Sequence, residues 1–264
     1  MLLPEARSPF IDVAIAIQPL VAKVLRFELT SFGVSPRERI GPRDGNPVRT
    51  LADRIARCLG VTEYELILSP NWSAPLRVFP GDPPVIVGPA SFIDLPETEQ
   101  AFAMGRLMTR LALGMTWLDE MPPEAADGLL LSAVRSVLPQ WGMGELAPQR
   151  EHAMTGLLPN MQRAIGRRQR KVIEDLAPTL MAGWDSRPFL LGVRRSEYRS
   201  AYVLSGDLLG GLETMRRSDP ELARAGENAR ALLQHPLSNE LIRYALSTEA
   251  FNERRRVGTV WGAV

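Results

Sequence analysis

The sequence predicts an α+β fold, predominantly helical, in which a small antiparallel or mixed sheet packs on a helical body. Three observations carry that reading. Short apolar runs separated by turn-forming residues cluster between positions 64 and 88. From Pro96 onward apolar residues recur at helical spacing between proline pauses. The 264 residues, 45% hydrophobic and 23% charged, suffice for one large core or two small ones sharing an interface.

Taken in order, the chain up to Glu28 reads as helical and broken or kinked at Pro19, which removes a helix hydrogen bond and crowds the preceding turn. Residues 35–47, rich in proline, glycine and arginine, read as an exposed loop or linker. This divides the chain into an N-terminal helix and loop, 1–50, and a globular domain, 51–264. Residues 51–59 form a helix ended by Gly60. Positions 51, 55, 58 and 59 share one face of it, which predicts a buried, inert Cys58.

The period then changes. Runs at 64–68, 76–79 and 85–87 are strand-like, and Pro83 and Pro84 limit the last to an edge or a strand start. Pro96 with Glu97 opens a helix that runs to Gly114. Further helices are predicted at 123–138, 160–176, 194–216, 220–233 and 237–256. Met104 to Met115 could line an adaptable groove, although core packing explains these methionines equally well.

Composition and motifs remove several function classes. A net charge of +1 gives no global attraction to nucleic acid or anionic membranes. The most apolar stretch, 10–27, carries Asp12, Lys23 and Arg26 and does not read as a membrane span. The first five residues lack a basic segment, so no secretory signal and a cytoplasmic location are expected. A single cysteine leaves no internal disulfide. The two histidines, His152 and His235, lie far apart in loop-like contexts. There is no HExxH, no Cys/His cluster, no phosphate-binding glycine loop and no G-x-S-x-G elbow, so no metal and no cofactor are expected.

Three stretches carry a resemblance. They are 83–89 leading into 99–107, 195–208, and 241–251 continuing to Arg254, Arg255 and Gly258. Their order resembles the C-terminal globular domain of large, mostly myxobacterial proteins that often carry tetratricopeptide repeats upstream. The repeats themselves are not visible in this sequence. That arrangement in turn looks like a degenerate HExxH zinc metallopeptidase of the CAAX-protease and heat-shock-protease type. The resemblance puts the HExxH slots on Gly105, Arg106, Leu107, Met108 and Thr109, and the third ligand on Glu197. It implies a pseudo-enzyme, since one glutamate cannot supply a zinc site. The plainer alternative is that Gly105 allows close helix packing and Glu197 is a solvated or paired helix charge.

Two surfaces are candidates for binding. Arg163, Arg167, Arg168, Arg170 and Lys171 crowd the helix at 160–176, where like charges at i, i+3 and i+4 repel unless something acidic answers them. Trp261, in an apolar tail, either docks on the core or anchors a partner. The expected function is a non-catalytic protein-interaction or scaffold module. The alternatives are nucleic-acid binding through 163–171, and a hydrolase of unrecognised chemistry in which Glu197 pairs with His152 or His235.

Overall fold

The computed structural model describes residues 2–181, 183, 185–225 and 228–259, with the backbone alone at 220, 221 and 225. Trp261 lies outside the described residues. In chain order the elements are α1 (Phe10–Leu25), α2 (Pro47–Leu59), β1 (Glu65–Ser69), β2 (Arg77–Phe79), β3 (Val85–Pro89) and α3 (Glu97–Ala112). The helical half continues with α4 (Pro123–Val137), α5 (Pro148–Thr155), α6 (Leu158–Ala164), α7 (Arg167–Leu176), α8 (Ser186–Ser205), α9 (Leu208–Ser218), α10 (Pro220–Ala225), α11 (Ala229–Gln234), α12 (Pro236–Ala245) and α13 (Thr248–Val257). The expected predominantly helical α+β architecture is what the chain adopts.

The sheet is mixed, in the order β1-β3-β2. β1 runs parallel to β3, with Glu65 opposite Val85, and β2 runs antiparallel to it, with Phe79 opposite Val85. Leu66, Val78 and Ile86 face α2 and α3, while Ile67, Phe79 and Val87 pack with Val34 and Trp72 on the other side. Burial of both faces explains why the strands read as continuous apolar runs rather than alternating ones. Although β3 is the central strand, the prolines before it are harmless. Pro84 ends just ahead of the ladder, and its carbonyl accepts from the Glu65 N–H at 2.8 Å.

α3 is the axis of the molecule. Every residue from Gln100 to Leu111 is buried, because α2 and the sheet cover one side and α8 and α9 the other. Acids Glu97 and Glu99 in its first turn suit the positive end of the helix dipole. The Gln100 amide donates to the Ile93 and Leu95 carbonyls at 3.1 and 2.8 Å and ties down the entry. At its exit Gly114 takes φ +70°, and a Cβ there would lie 2.5 Å from the Ile15 nitrogen. Only glycine permits that backbone-to-backbone contact with α1.

Several expectations are corrected. Of the two expectations at Pro19, the break is not seen: α1 continues as one helix past it, with the ring exposed, because the stripe of Phe10, Val13, Ala14, Ile17, Val21 and Val24 is buried. Packing of that stripe against α4, α6 and α7 outweighs the roughly 3 kcal/mol a mid-helix proline costs. α1 thus joins the core of the helical half. Cys58 is exposed. The buried face of α2 is 51, 52, 55 and 56, and Cys58 sits about a quarter-turn off its centre. The helices expected at 160–176, 194–216, 220–233 and 237–256 are each broken into two. Gly166, Asp207, Asn228 and Ser247 start the second segments, the last three through side chains that accept backbone N–H groups. His152 lies within α5 rather than in a loop.

Candidate functional site at the α3–α8 interface

The positions singled out by the metallopeptidase resemblance converge where α3 crosses α8. α8 begins at Asp185, whose side chain caps the Arg187 N–H at 3.0 Å, and ends at Gly206 with φ +73°. Between those caps, Gly105 lies directly against α8. A Cβ on Gly105 would stand 3.2 Å from both Ala201 Cα and Leu204 Cδ1. Its small size sets the depth of the helix crossing, as the plainer alternative expected.

Glu197 is fully buried. Both its carboxylate oxygens accept from Arg110, one residue beyond the expected ligand slots: Nε to Oε1 at 2.8 Å and Nη2 to Oε2 at 2.7 Å. Arg110 is itself 1% exposed, and its Nη1 contacts Asp119 on the α3–α4 loop. Such a bidentate, charge-assisted fork is among the strongest protein hydrogen-bonded pairs. Burial alone would favour neutral Arg110, but the facing carboxylates of Glu197 and Asp119 outweigh it and hold the guanidinium protonated well above its ordinary range. For Asp119, burial pushes upward, yet Arg110 and Arg106 hold its carboxyl well below the usual carboxylate range.

The remaining slots serve other roles. Thr109 returns its hydroxyl to the Gly105 carbonyl at 2.8 Å, while Leu107 and Met108 are core. Met104, Met108 and Met115 are likewise fully buried, so they pack the interior rather than line a groove. Arg106 differs from all of these. Its side chain is 9% exposed, its nearest carboxylate oxygen is that of Asp119 at 3.8 Å, and its guanidinium carbon lies 5.9 Å from the Tyr198 ring centre. It opens into a cavity of about 210 Å³ lined also by Arg77, Arg110, Asp119, Arg194, Glu197 and Tyr198.

A zinc ion does not fit this donor set. The two histidine slots hold a glycine and a threonine whose hydroxyl is returned to the backbone, and both oxygens of the third-ligand glutamate are engaged. Among the described residues no group of three or more His, Cys, Asp or Glu side chains is arranged to hold a metal ion. Neither histidine lines the cavity or bonds to Glu197.

The basic segment is divided between two helices rather than gathered on one. Arg163 closes on Pro159 O and Asn160 Oδ1 within α6, at 3.1 and 3.2 Å. Arg167, Arg168, Arg170 and Lys171 occupy the first turns of α7, all exposed. No ion pair engages any of these five among the described residues, and none joins them to the acids one turn on, Glu174 and Asp175.

Arg110 is the buried partner of Glu197 that sequence reasoning missed. Its signal was available in retrospect: two arginines at i and i+4, 106 and 110, inside a run otherwise made of Ala, Gly, Met, Leu and one Thr. Charges on both turns of an apolar helix imply a buried acid opposite. No helix among the described residues is long and apolar enough to cross a membrane. Comparison with protein-family models, curated proteins and solved structures finds no match.

Proposed function

We propose that this chain is a non-catalytic interaction module whose contact region is the cleft between α3 and α8, where the resemblance puts a metallopeptidase active site. One observation supports the reading above the others. The glutamate in the third-ligand slot is committed at both oxygens to Arg110, so the group that would hold a metal or move a proton is instead part of a closed ionic network. Large exposed apolar side chains on the C-terminal helices and their connections, Leu209, Leu246 and Phe251, give a protein partner further surface.

The test is the metal content of the purified protein beside a zinc titration followed by thermal melting, with peptide hydrolysis measured on the same samples. The expected result is no stoichiometric zinc, no melting shift and no cleavage. Stoichiometric zinc with a shift that grows with concentration, or cleavage abolished by Glu197→Gln in a folded protein, overturns it.

A second reading, nucleic-acid binding through 163–171, is favoured by the exposure of these side chains without ion pairs. Arg167 and Arg168 also sit at a helix N-terminus, where the dipole disfavours cations. It expects salt-sensitive binding that is lost on joint replacement of Arg167, Arg168 and Arg170.

A further inference from the structure

We infer that the cavity between α3 and α8 is a binding site for a carboxylate that carries a short apolar body, with Arg106 and Tyr198 holding the carboxylate; this rests on the reading that the cleft binds rather than cleaves. Arg106 is nine-tenths buried and presents five N–H donors, yet donates to no acceptor among the described residues; Asp119 at 3.8 Å is beyond bonding distance. Its donors meet the cavity instead of a protein acceptor, so water or a ligand must satisfy them.

Tyr198 repeats the pattern. It is 6% exposed, lines the same cavity, and its hydroxyl has no hydrogen-bond partner among the described residues. Burial raises its pKa above the ordinary phenol value, so at neutral pH it offers an O–H donor. A guanidinium fork and a phenol aimed into one cavity form a donor set matched to a planar oxyanion.

The rest of the wall selects the charge of the ligand. Arg110 is consumed by Glu197 and Asp119, and Arg77 by Glu120 at 3.3 Å. Arg194 reaches the Leu118 carbonyl only at 3.5 Å. Asp119, Glu197 and Asp219 also stand on the wall. Three carboxylates disfavour a dianion such as phosphate, whereas one added negative charge beside Arg106 and Arg194 is tolerated.

The apolar body follows from a neighbouring cavity of about 450 Å³, which shares Pro75, Leu76, Arg106 and Ser218 with the first. Its wall is mainly apolar, with Ala74, Phe92, Leu95 and Ala103. Arg106 stands between a charged compartment and an apolar one. That is the arrangement a short-chain acid, or the C-terminal residue of a peptide with an apolar side chain, would occupy.

The experiment is calorimetric titration of the whole chain with hexanoate, N-acetylleucine, their amides, and inorganic phosphate. Saturable binding of at least one acid is expected, with a Kd at or below about the millimolar level, and at least tenfold weaker binding of its amide and of phosphate. Tighter hexanoate identifies a free acid, tighter N-acetylleucine a chain terminus, and either supports the site. Arg106→Gln is expected to weaken the acid at least tenfold and Tyr198→Phe severalfold. Ala103→Leu, filling the apolar compartment, is expected to weaken hexanoate while sparing acetate, titrated beside it for this variant.

No binding by either acid, equal binding of acid and amide, or tighter phosphate overturns the inference. So does unchanged affinity in folded Arg106→Gln; should that variant not fold, unchanged affinity in Tyr198→Phe decides it the same way. Failure of the non-catalytic reading is seen separately, as zinc uptake or cleavage in the samples described above.

Discussion

Two of the ionic centres that join this molecule's helices are built differently. Between α4 and α5, Arg150 forks onto Asp127 at 2.7 and 2.9 Å, and Arg135 onto Glu151 at 2.8 and 3.3 Å. In each, an arginine fork meets a single carboxylate and one partner is kept toward solvent: the Arg150 side chain is 21% exposed and Glu151 37%. At the α3–α8 crossing, Arg110 and Glu197 are both 1% exposed and share a network with Asp119 and Arg106. The first centre is a pair of rim clasps that water can partly replace. The second has no such fallback, because removing one charge strands its partner in the interior. Burial of both partners, more than the number of bonds, separates a useful contact from an indispensable one.

The largest effect is therefore expected at the crossing. Glu197→Gln should cost about 3–5 kcal/mol in urea unfolding by leaving Arg110 short of charge. Joint replacement by Arg110→Met and Glu197→Leu should cost clearly less than either single change, since Arg106 at 3.8 Å is placed to take Asp119. A double variant worse than both singles would break the comparison.

Asp119→Asn comes next, at roughly 2 kcal/mol near neutral pH for the loss of a charge-assisted contact. It carries a pH signature. Because Asp119 titrates lower in the folded chain than its ordinary value of 3.8, its contribution is fully present above that value and is lost as pH falls below it. The stability of the natural chain should therefore fall more steeply with acid than that of Asp119→Asn. Parallel acid limbs would contradict the assignment.

Asp127→Asn, whose arginine partner reaches solvent, should cost about 1–2 kcal/mol, and Glu151→Gln less than about 1. If thermal melting ranks Asp127→Asn above Glu197→Gln, burial is not what distinguishes the two centres. The smallest effect is expected for joint replacement of Arg167, Arg168 and Arg170 by Gln, within a few tenths of a kcal/mol and in the stabilising direction. These side chains repel one another and oppose the α7 dipole.

What was legible in the sequence follows the same division between local and distant causes. The three strands were readable because their limits are set by adjacent turn residues, and α3 because Pro96 and the following acids fix its start. The breaks at Gly206–Asp207, Asn228 and Ser247 were written locally too, as capping residues, but the apolar period runs across them and masked them. Cys58 was misplaced because residues 52 and 56, both alanine, define the buried stripe without strong hydropathy. The Arg110–Glu197 pair joins residues 87 apart, and nothing next to either one announces the other. Glu197 was noticed through a resemblance, and its partner was not.

That separation has a consequence during synthesis. α3 is enclosed on all sides in the finished chain, yet one of its walls, α8, emerges from the ribosome much later. At about 5–20 residues per second, Arg110 waits roughly 4–17 s for Glu197. Throughout that interval a helix apolar around most of its circumference, and a guanidinium meant for the interior, have no final place. Nascent chains ending between α3 and α8 should therefore be the species that chaperones hold, and those extended past Ser205 the first to let go.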